Sequence, residues 1–135
     1  MTKNEHEIVI NCPIERAFQF VTDLETWPQW HGGEVEKLTP GPVGVGTVWK
    51  ATAQGQGRPM VVTVDVTSYE LNRQFGITHT SGTIQVPQIF FFRPLAGGTR
   101  LDMVLSLADP EMAPPAQQQW DNDLTSLKQL LEAQG

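Results

Sequence analysis

A chain of 135 residues, 39% hydrophobic and 18% charged, holds one domain at roughly 100–200 residues per domain and is too apolar for intrinsic disorder. Nine Lys and Arg stand against fifteen Asp and Glu, a formal charge of −6. That balance argues against nucleic acid and anionic membranes, both of which need clustered basic side chains. Cys12 is the single cysteine, which excludes an internal disulfide framework and a multi-thiolate zinc site.

In chain order, residues 7–11 read as a short strand with β-branched residues at its centre. Pro13 suits a first helical turn and Glu15 the positive end of the helix dipole. Ile14, Ala17, Phe18 and Val21 then recur at helical spacing. Residues 23–30 carry two tryptophans around Pro28, and a short second helix is expected there.

From Glu34 the period becomes two. Glycines 41, 44 and 46 with Pro40 and Pro42 form a turn-rich segment. A strand over 47–54 sets Trp49, Ala51 and Ala53 against Lys50, Thr52 and Gln54. Met60, Val62, Val64 and Val66 share one face of the next strand, and Phe75, Ile77 and His79 one face of another. Residues 84–93 form a long strand, with an interruption or bulge expected at Pro87. Gly97-Gly98 makes a hairpin turn, after which Leu101, Met103, Leu105 and Leu107 alternate with polar residues. Such alternation belongs to an antiparallel sheet with one covered face. A C-terminal helix carries Trp120, Leu124, Leu127 and Leu131 at spacings of four, three and four. The longest apolar run, residues 89–92, is far short of the roughly 20 that cross a bilayer. The polar residues 1–7 lack the apolar core of a signal peptide. The expectation is a cytoplasmic, single α+β domain over residues 1–135.

One helix must therefore cover about seven strands. A helix is roughly 10–12 Å across and strands are about 4.8 Å apart, so the sheet has to curl around it. Space that side chains do not fill becomes an apolar cavity.

The order of these segments resembles the START-like (SRPBCC) superfamily. Residues 13–23 followed by Trp27-Pro28-Gln29-Trp30 are similar to its opening, and the turn at 41–47 to its glycine turn. Residues 97–101 resemble its last hairpin and 120–131 its C-terminal helix, with the polyketide cyclase/dehydrase-type subgroup nearest. The resemblance implies a helix-grip (Bet v 1-like) fold, in which a curved sheet wraps the long helix around a hydrophobic cavity. The fold hosts carriers, cyclases, hydrolases and co-chaperones, and does not choose among them.

His79 stands out because its parity places an imidazole on the apolar face, where it needs a partner or stays neutral. It is the best candidate for acid–base work, against the plainer reading of a strand-end histidine bonded to backbone or water. Trp27 and Trp30, next to His31, are read either as a gate or as packing of the short helix. Arg73 and Arg93 lie near strand ends and are read as surface residues rather than as partners of a ligand carboxylate. Gln88, Arg73 and Tyr69, the sole tyrosine, are further polar candidates should the pocket be catalytic. Ser81 and Asp102 are candidates to approach His79, although no G-x-S-x-G pattern accompanies them. Cys12 reads as an apolar filler. His6, His31 and His79 show no metal-ligating spacing, so no metal or cofactor is expected.

The function expected is binding of a hydrophobic small molecule, lipid or polyketide-like, between the sheet and the C-terminal helix. The expected wall is Trp27, Trp30, Trp49, Val62, Val64, Phe75, Ile77, His79, Phe90, Phe92, Met103, Leu105, Trp120, Leu124 and Leu127. Parity separates inside from outside but not cavity from core. A cyclase or dehydratase using the same cavity is the alternative, and a co-chaperone-like interaction domain ranks last. Nucleic acid and membrane insertion are not expected, and a homodimer remains open.

Overall fold

Alternation along the sequence becomes one antiparallel sheet of seven strands in the order β1-β7-β6-β5-β4-β3-β2. The computed structural model describes residues 2–55 and 58–134, without the side chains of 53–55 and 58–59. The faces expected for Ala53 and Gln54 thus lie outside the described residues. The strands are β1 (Thr2–Ile10), β2 (Glu34–Lys37), β3 (Val48–Gly55), β4 (Arg58–Glu70), β5 (Gln74–Ser81), β6 (Ile84–Leu95) and β7 (Gly98–Leu107). Helix α1 (Ile14–Thr22) and a short 3-10 helix (Leu24–Gln29) follow β1. A 3-10 turn (Pro110–Met112) leads into the long helix α2 (Ala113–Ala133).

Two local readings need correction. The first strand starts at Thr2, well before residue 7, and pairs with β7 from Thr2↔Leu107 to Ile10↔Thr99. Its inward positions Asn4 and His6 are polar, so the alternation was hidden; α2 bonds to both, while His6 Nε2 has no partner among the described residues. The Asn4 amide donates to the Ala113 carbonyl at 3.1 Å, and His6 Nδ1 meets Asp121 Oδ1 at 2.8 Å. Pro87 breaks nothing: β5 stays in register through Thr78↔Pro87, and pairing with β7 begins only at Gln88↔Leu105. The proline sits just beyond the last β7 partner, where its missing N–H removes no ladder bond on that side. In β4 a register shift between Val66 and Ser68 moves the inward set from even to odd numbers. Tyr69 consequently turns inward, edge-on to Phe18 at 5.3 Å and to Phe75 at 6.4 Å. Met60 shares the parity of Val62 and Val64 but remains exposed.

Helix α2 does not lie over the middle of the sheet; hydrogen bonds tie it along the β1 edge. Besides Asn4 and His6, Lys128 Nζ donates to the Val9 carbonyl at 2.6 Å, and Glu132 Oε2 accepts from the Asn11 N–H at 2.9 Å. Positions 4, 6, 9 and 11 meet 113, 121, 128 and 132 in order, so helix and strand run parallel. The stripe Trp120, Leu124, Leu127 and Leu131 is buried, as its spacing predicts.

The rest of the inner face is roofed by α1 and the 3-10 helix. Phe18 of α1 packs edge-on to Phe92 at 5.0 Å, a geometry favoured by the ring quadrupoles. Asp23 caps the 3-10 helix by accepting from the Glu25 N–H at 3.1 Å. Thr26 Oγ1 donates to the Phe20 carbonyl at 2.7 Å, and Trp27 Nε1 to the Val21 carbonyl at 2.8 Å. These bonds fix the Trp27 indole beneath the roof.

Candidate functional site

Under the 3-10 helix lies a cavity of about 80 Å³. Its walls come from the 3-10 helix (Leu24, Trp27), the following loop (His31, Gly32), β2 (Glu34, Val35), β3 (Ala51, Thr52), β4 (Val62, Val64) and β5 (His79). No α2 residue lines it, which corrects the expected position between sheet and long helix. The reason is geometric. With α2 held along β1, the hollow over β2–β5 falls to the 3-10 helix and the residue after it, and the indoles of Trp27 and Trp30 fill most of it.

Of the expected wall, Trp27, Val62, Val64 and His79 border this cavity. Trp49, Phe75, Ile77, Phe90, Phe92, Met103, Leu105, Leu124 and Leu127 are packed core instead. Trp30 and Trp120 are likewise buried, 6.1 Å apart, and each lies about 6 Å or less from Trp27, at 4.9 and 5.9 Å. Phe90 approaches Trp27 at 6.0 Å and Trp120 at 6.4 Å. One continuous aromatic cluster thus occupies the space where a large hollow was expected.

Two imidazoles reach the cavity, each held by a different partner. His31 Nδ1 lies 2.7 Å from Asp123 Oδ2. An ionised carboxylate only accepts, so Nδ1 carries the proton and Nε2 is left without a partner among the described residues. The Trp120 ring stacks on the same imidazole at 4.6 Å and 16°. Trp120 and Asp123, three residues apart on α2, therefore grip His31 from its face and its edge. The side chain of Asp123 is 9% exposed, and the Gln119 amide gives it a second donor at 3.3 Å.

His79 Nε2 lies 2.8 Å from Gln88 Oε1. With Nε2–H donating to that oxygen, Nδ1 is the free nitrogen. Burial lowers the His79 pKa below its ordinary value; the Gln88 hydrogen bond opposes this, and the nearby His31 adds to it. The ring is accordingly kept neutral. The free Nδ1 of the neutral His79 ring is a hydrogen-bond acceptor, and His31 brings a second ring nitrogen without a protein partner among the described residues. His31 and His79 also flank one indole, at 5.5 and 6.4 Å from Trp27.

Two other features adjoin these side chains. Trp30 Nε1 and Gln88 Nε2 are buried donors without a partner among the described residues, a cost of about 1–3 kcal/mol each. Gly32 and Gly33, immediately after His31, both have positive φ, 90° and 78°. The backbone at the cavity mouth thus takes a conformation that glycine adopts freely.

The remaining candidates lie elsewhere. Asp102 is on the outer face of β7, bound by Arg100 Nε at 3.2 Å, so it does not approach His79. Ser81 ends β5. Arg73 and Arg93 line an outer groove away from the cavity. Cys12 is buried, with its thiol pKa raised by that burial. Among the described residues, no group of three or more His, Cys, Asp or Glu is placed to hold a metal ion. No helix of the described residues is long and apolar enough to cross a membrane.

Sequence reasoning missed Asp123. Its signal was available: a carboxylate three residues after Trp120 and one before Leu124, on the edge of an apolar stripe, needs a buried partner. Nothing local pointed to His31, 92 positions away.

A family model described as polyketide cyclase / dehydrase and lipid transport matches residues 1–132. No curated protein matches the chain. Among solved structures, protein MLL2253 from Mesorhizobium loti is similar at 21% identity and a TM-score of 0.83, with 99% of each chain covered. Ara h 8.0201 is similar at 17% identity and 0.77, with 98% of each chain covered. The Aha1 dimer from Colwellia psychrerythraea is similar at 19% and 0.74, covering 98% of this chain and 97% of that one. At these identities the likeness is one of fold, the curved-sheet and long-helix architecture expected from the sequence.

Proposed function

The chain belongs to the polyketide cyclase/dehydrase and lipid transport family, and from that premise we propose that it binds a hydrophobic small molecule carrying hydroxyl groups, an enol or phenol, beneath the 3-10 helix. The observation that carries this reading is the pair of imidazoles at one apolar cavity, each using one nitrogen on a protein partner. A neutral His79 ring with a free acceptor nitrogen beside apolar walls calls for a guest with an O–H donor. Trp27, Val62 and Val64 supply apolar contact, worth roughly 25 cal/mol per Å² buried.

The cavity of about 80 Å³ is smaller than the roughly 300–1,000 Å³ of ordinary ligand pockets. A guest of drug size therefore enters by displacing the 3-10 helix, with Gly32-Gly33 as the hinge and the His31–Asp123 bond as the latch. Titration with 2-naphthol, followed by backbone and imidazole NMR shifts, tests this. The expected result is saturable shifts at Trp27, Gly32, Val64 and His79, and weaker binding after His79→Gln. Saturable shifts confined to other residues, or no binding of 2-naphthol together with no apolar compound extractable from freshly purified protein, would overturn the reading.

The same two imidazoles favour a second, catalytic reading. One ring nitrogen removes a proton from carbon next to a ketone while the other, protonated, delivers one to the carbonyl oxygen, giving the enol. Exchange of the α-protons of 2-tetralone with D₂O measures it. Protein-dependent exchange that His79→Gln abolishes is the expected result, and exchange unaltered by that change removes His79 from any such chemistry.

A further inference from the structure

Besides the interior cavity there is an open groove of about 730 Å³ at one end of the sheet. It is walled by Ile14 at the start of α1, Asn72 and Arg73 of the β4–β5 turn, and residues 91–94 of β6. Two arginines face it without an ion pair or side-chain hydrogen bond among the described residues, Arg73 and Arg93. In a chain of net charge −6, that concentration of free positive charge stands out.

The backbone brings both arginines to the same end of the sheet. Asn72 takes φ 59°, and the Arg73 N–H closes the turn on the Glu70 carbonyl at 2.9 Å. The Arg73 carbonyl in turn accepts from the Phe92 N–H at 2.8 Å, next to Arg93. Arg93 also lies directly across from Arg100 in the β6–β7 ladder, a like-charge pair that costs stability. Arg100 is neutralised by Glu7 at 2.6 Å and Asp102 at 3.2 Å. Its two carboxylates, including Asp102 on the groove wall, are therefore already engaged, and Arg93 forms no ion pair among the described residues. Beside it Phe91 is 39% exposed, an apolar ring on the outward face of a sheet strand.

We propose that this groove is a second binding site, separate from the cavity and independent of the reading given for it, for a small aromatic carboxylate. The anion takes the guanidinium forks of Arg73 and Arg93, and the ring lies on Phe91. The volume falls within the range of small-molecule pockets, which the interior does not.

NMR titration with 2-naphthoate, beside neutral 2-naphthol, tests the proposal. The carboxylate is expected to shift amides 72–74 and 91–93 saturably while 2-naphthol does not, and R73Q/R93Q to weaken binding at least tenfold with the fold unchanged. Restoration of most of the affinity by R73K/R93K would support charge as the attraction. No saturable shift at millimolar 2-naphthoate, an equal response to 2-naphthol in the groove, shifts at Trp27 and His79 alone, or unchanged affinity in R73Q/R93Q would each overturn it. Failure of 2-naphthol at the cavity leaves this outcome untouched.

Discussion

Asp123 and His31, 92 positions apart, meet at 2.7 Å and join α2 to the loop that roofs the cavity. The carboxylate is nearly buried, so its partner is a condition of its placement and not an ornament of the surface. Removing the charge while keeping the shape, Asp123→Asn, weakens a charge-assisted hydrogen bond. A loss of about 1–3 kcal/mol in urea unfolding is expected, with faster hydrogen exchange at Gly32 and Gly33. Unchanged exchange there would show that the bond does not latch the loop.

Trp27 is both roof and core. Trp27→Ala should cost about 3–5 kcal/mol and join the space of the indole to the existing cavity. The enlarged void should bind benzene, detectable as saturable NMR shifts at Val62 and Val64. A variant as stable as the parent, or one that binds no benzene while folded, would mean that the surroundings collapse into the space.

The neutral state of His79 makes stability depend on pH. Its pKa is lowered in the fold, by burial first, from an ordinary 6.5. Above 6.5 both folded and unfolded chains hold it neutral, and its contribution is fully present. As the pH falls below 6.5 the unfolded chain takes up a proton that the folded chain refuses, so stability declines until the native pKa is passed. His79→Gln should flatten that decline relative to the parent in unfolding measured across this window. Parallel curves would show that the ring is not held neutral.

Gly98 begins β7 where the end of β1 passes close by. A Cβ there would lie 2.7 Å from the Ile10 carbonyl oxygen and 3.5 Å from Asn11 Cα. These are backbone atoms, which cannot step aside as a flexible side chain would. Gly98→Ala should therefore destabilise by about 1–3 kcal/mol, and an unaffected melting temperature would show that the two strands can separate slightly.

Strand and helix identities were legible because covered faces leave a period in the sequence. Leu101, Met103, Leu105 and Leu107 alternate, and Trp120, Leu124, Leu127 and Leu131 recur at helical spacing, wherever the elements end up. The reading failed where a polar residue was buried against a distant partner, as with Asn4 and His6, and periodicity did not give the direction of Tyr69, where a bulge changes the parity. It could not distinguish core from cavity, since Phe90 and Val64 have the same inward parity and only one borders empty space.

Local pattern, then, determined the α+β fold, the inward faces and the singling out of His79, because burial against a neighbour is written every two or every three to four residues. Tertiary structure alone decided that α2 runs along β1, that Trp27 and Trp30 fill the hollow, and that Asp123 orients His31. Those outcomes depend on hydrogen bonds and packing between segments far apart in the chain, where no periodicity records which side chain meets which.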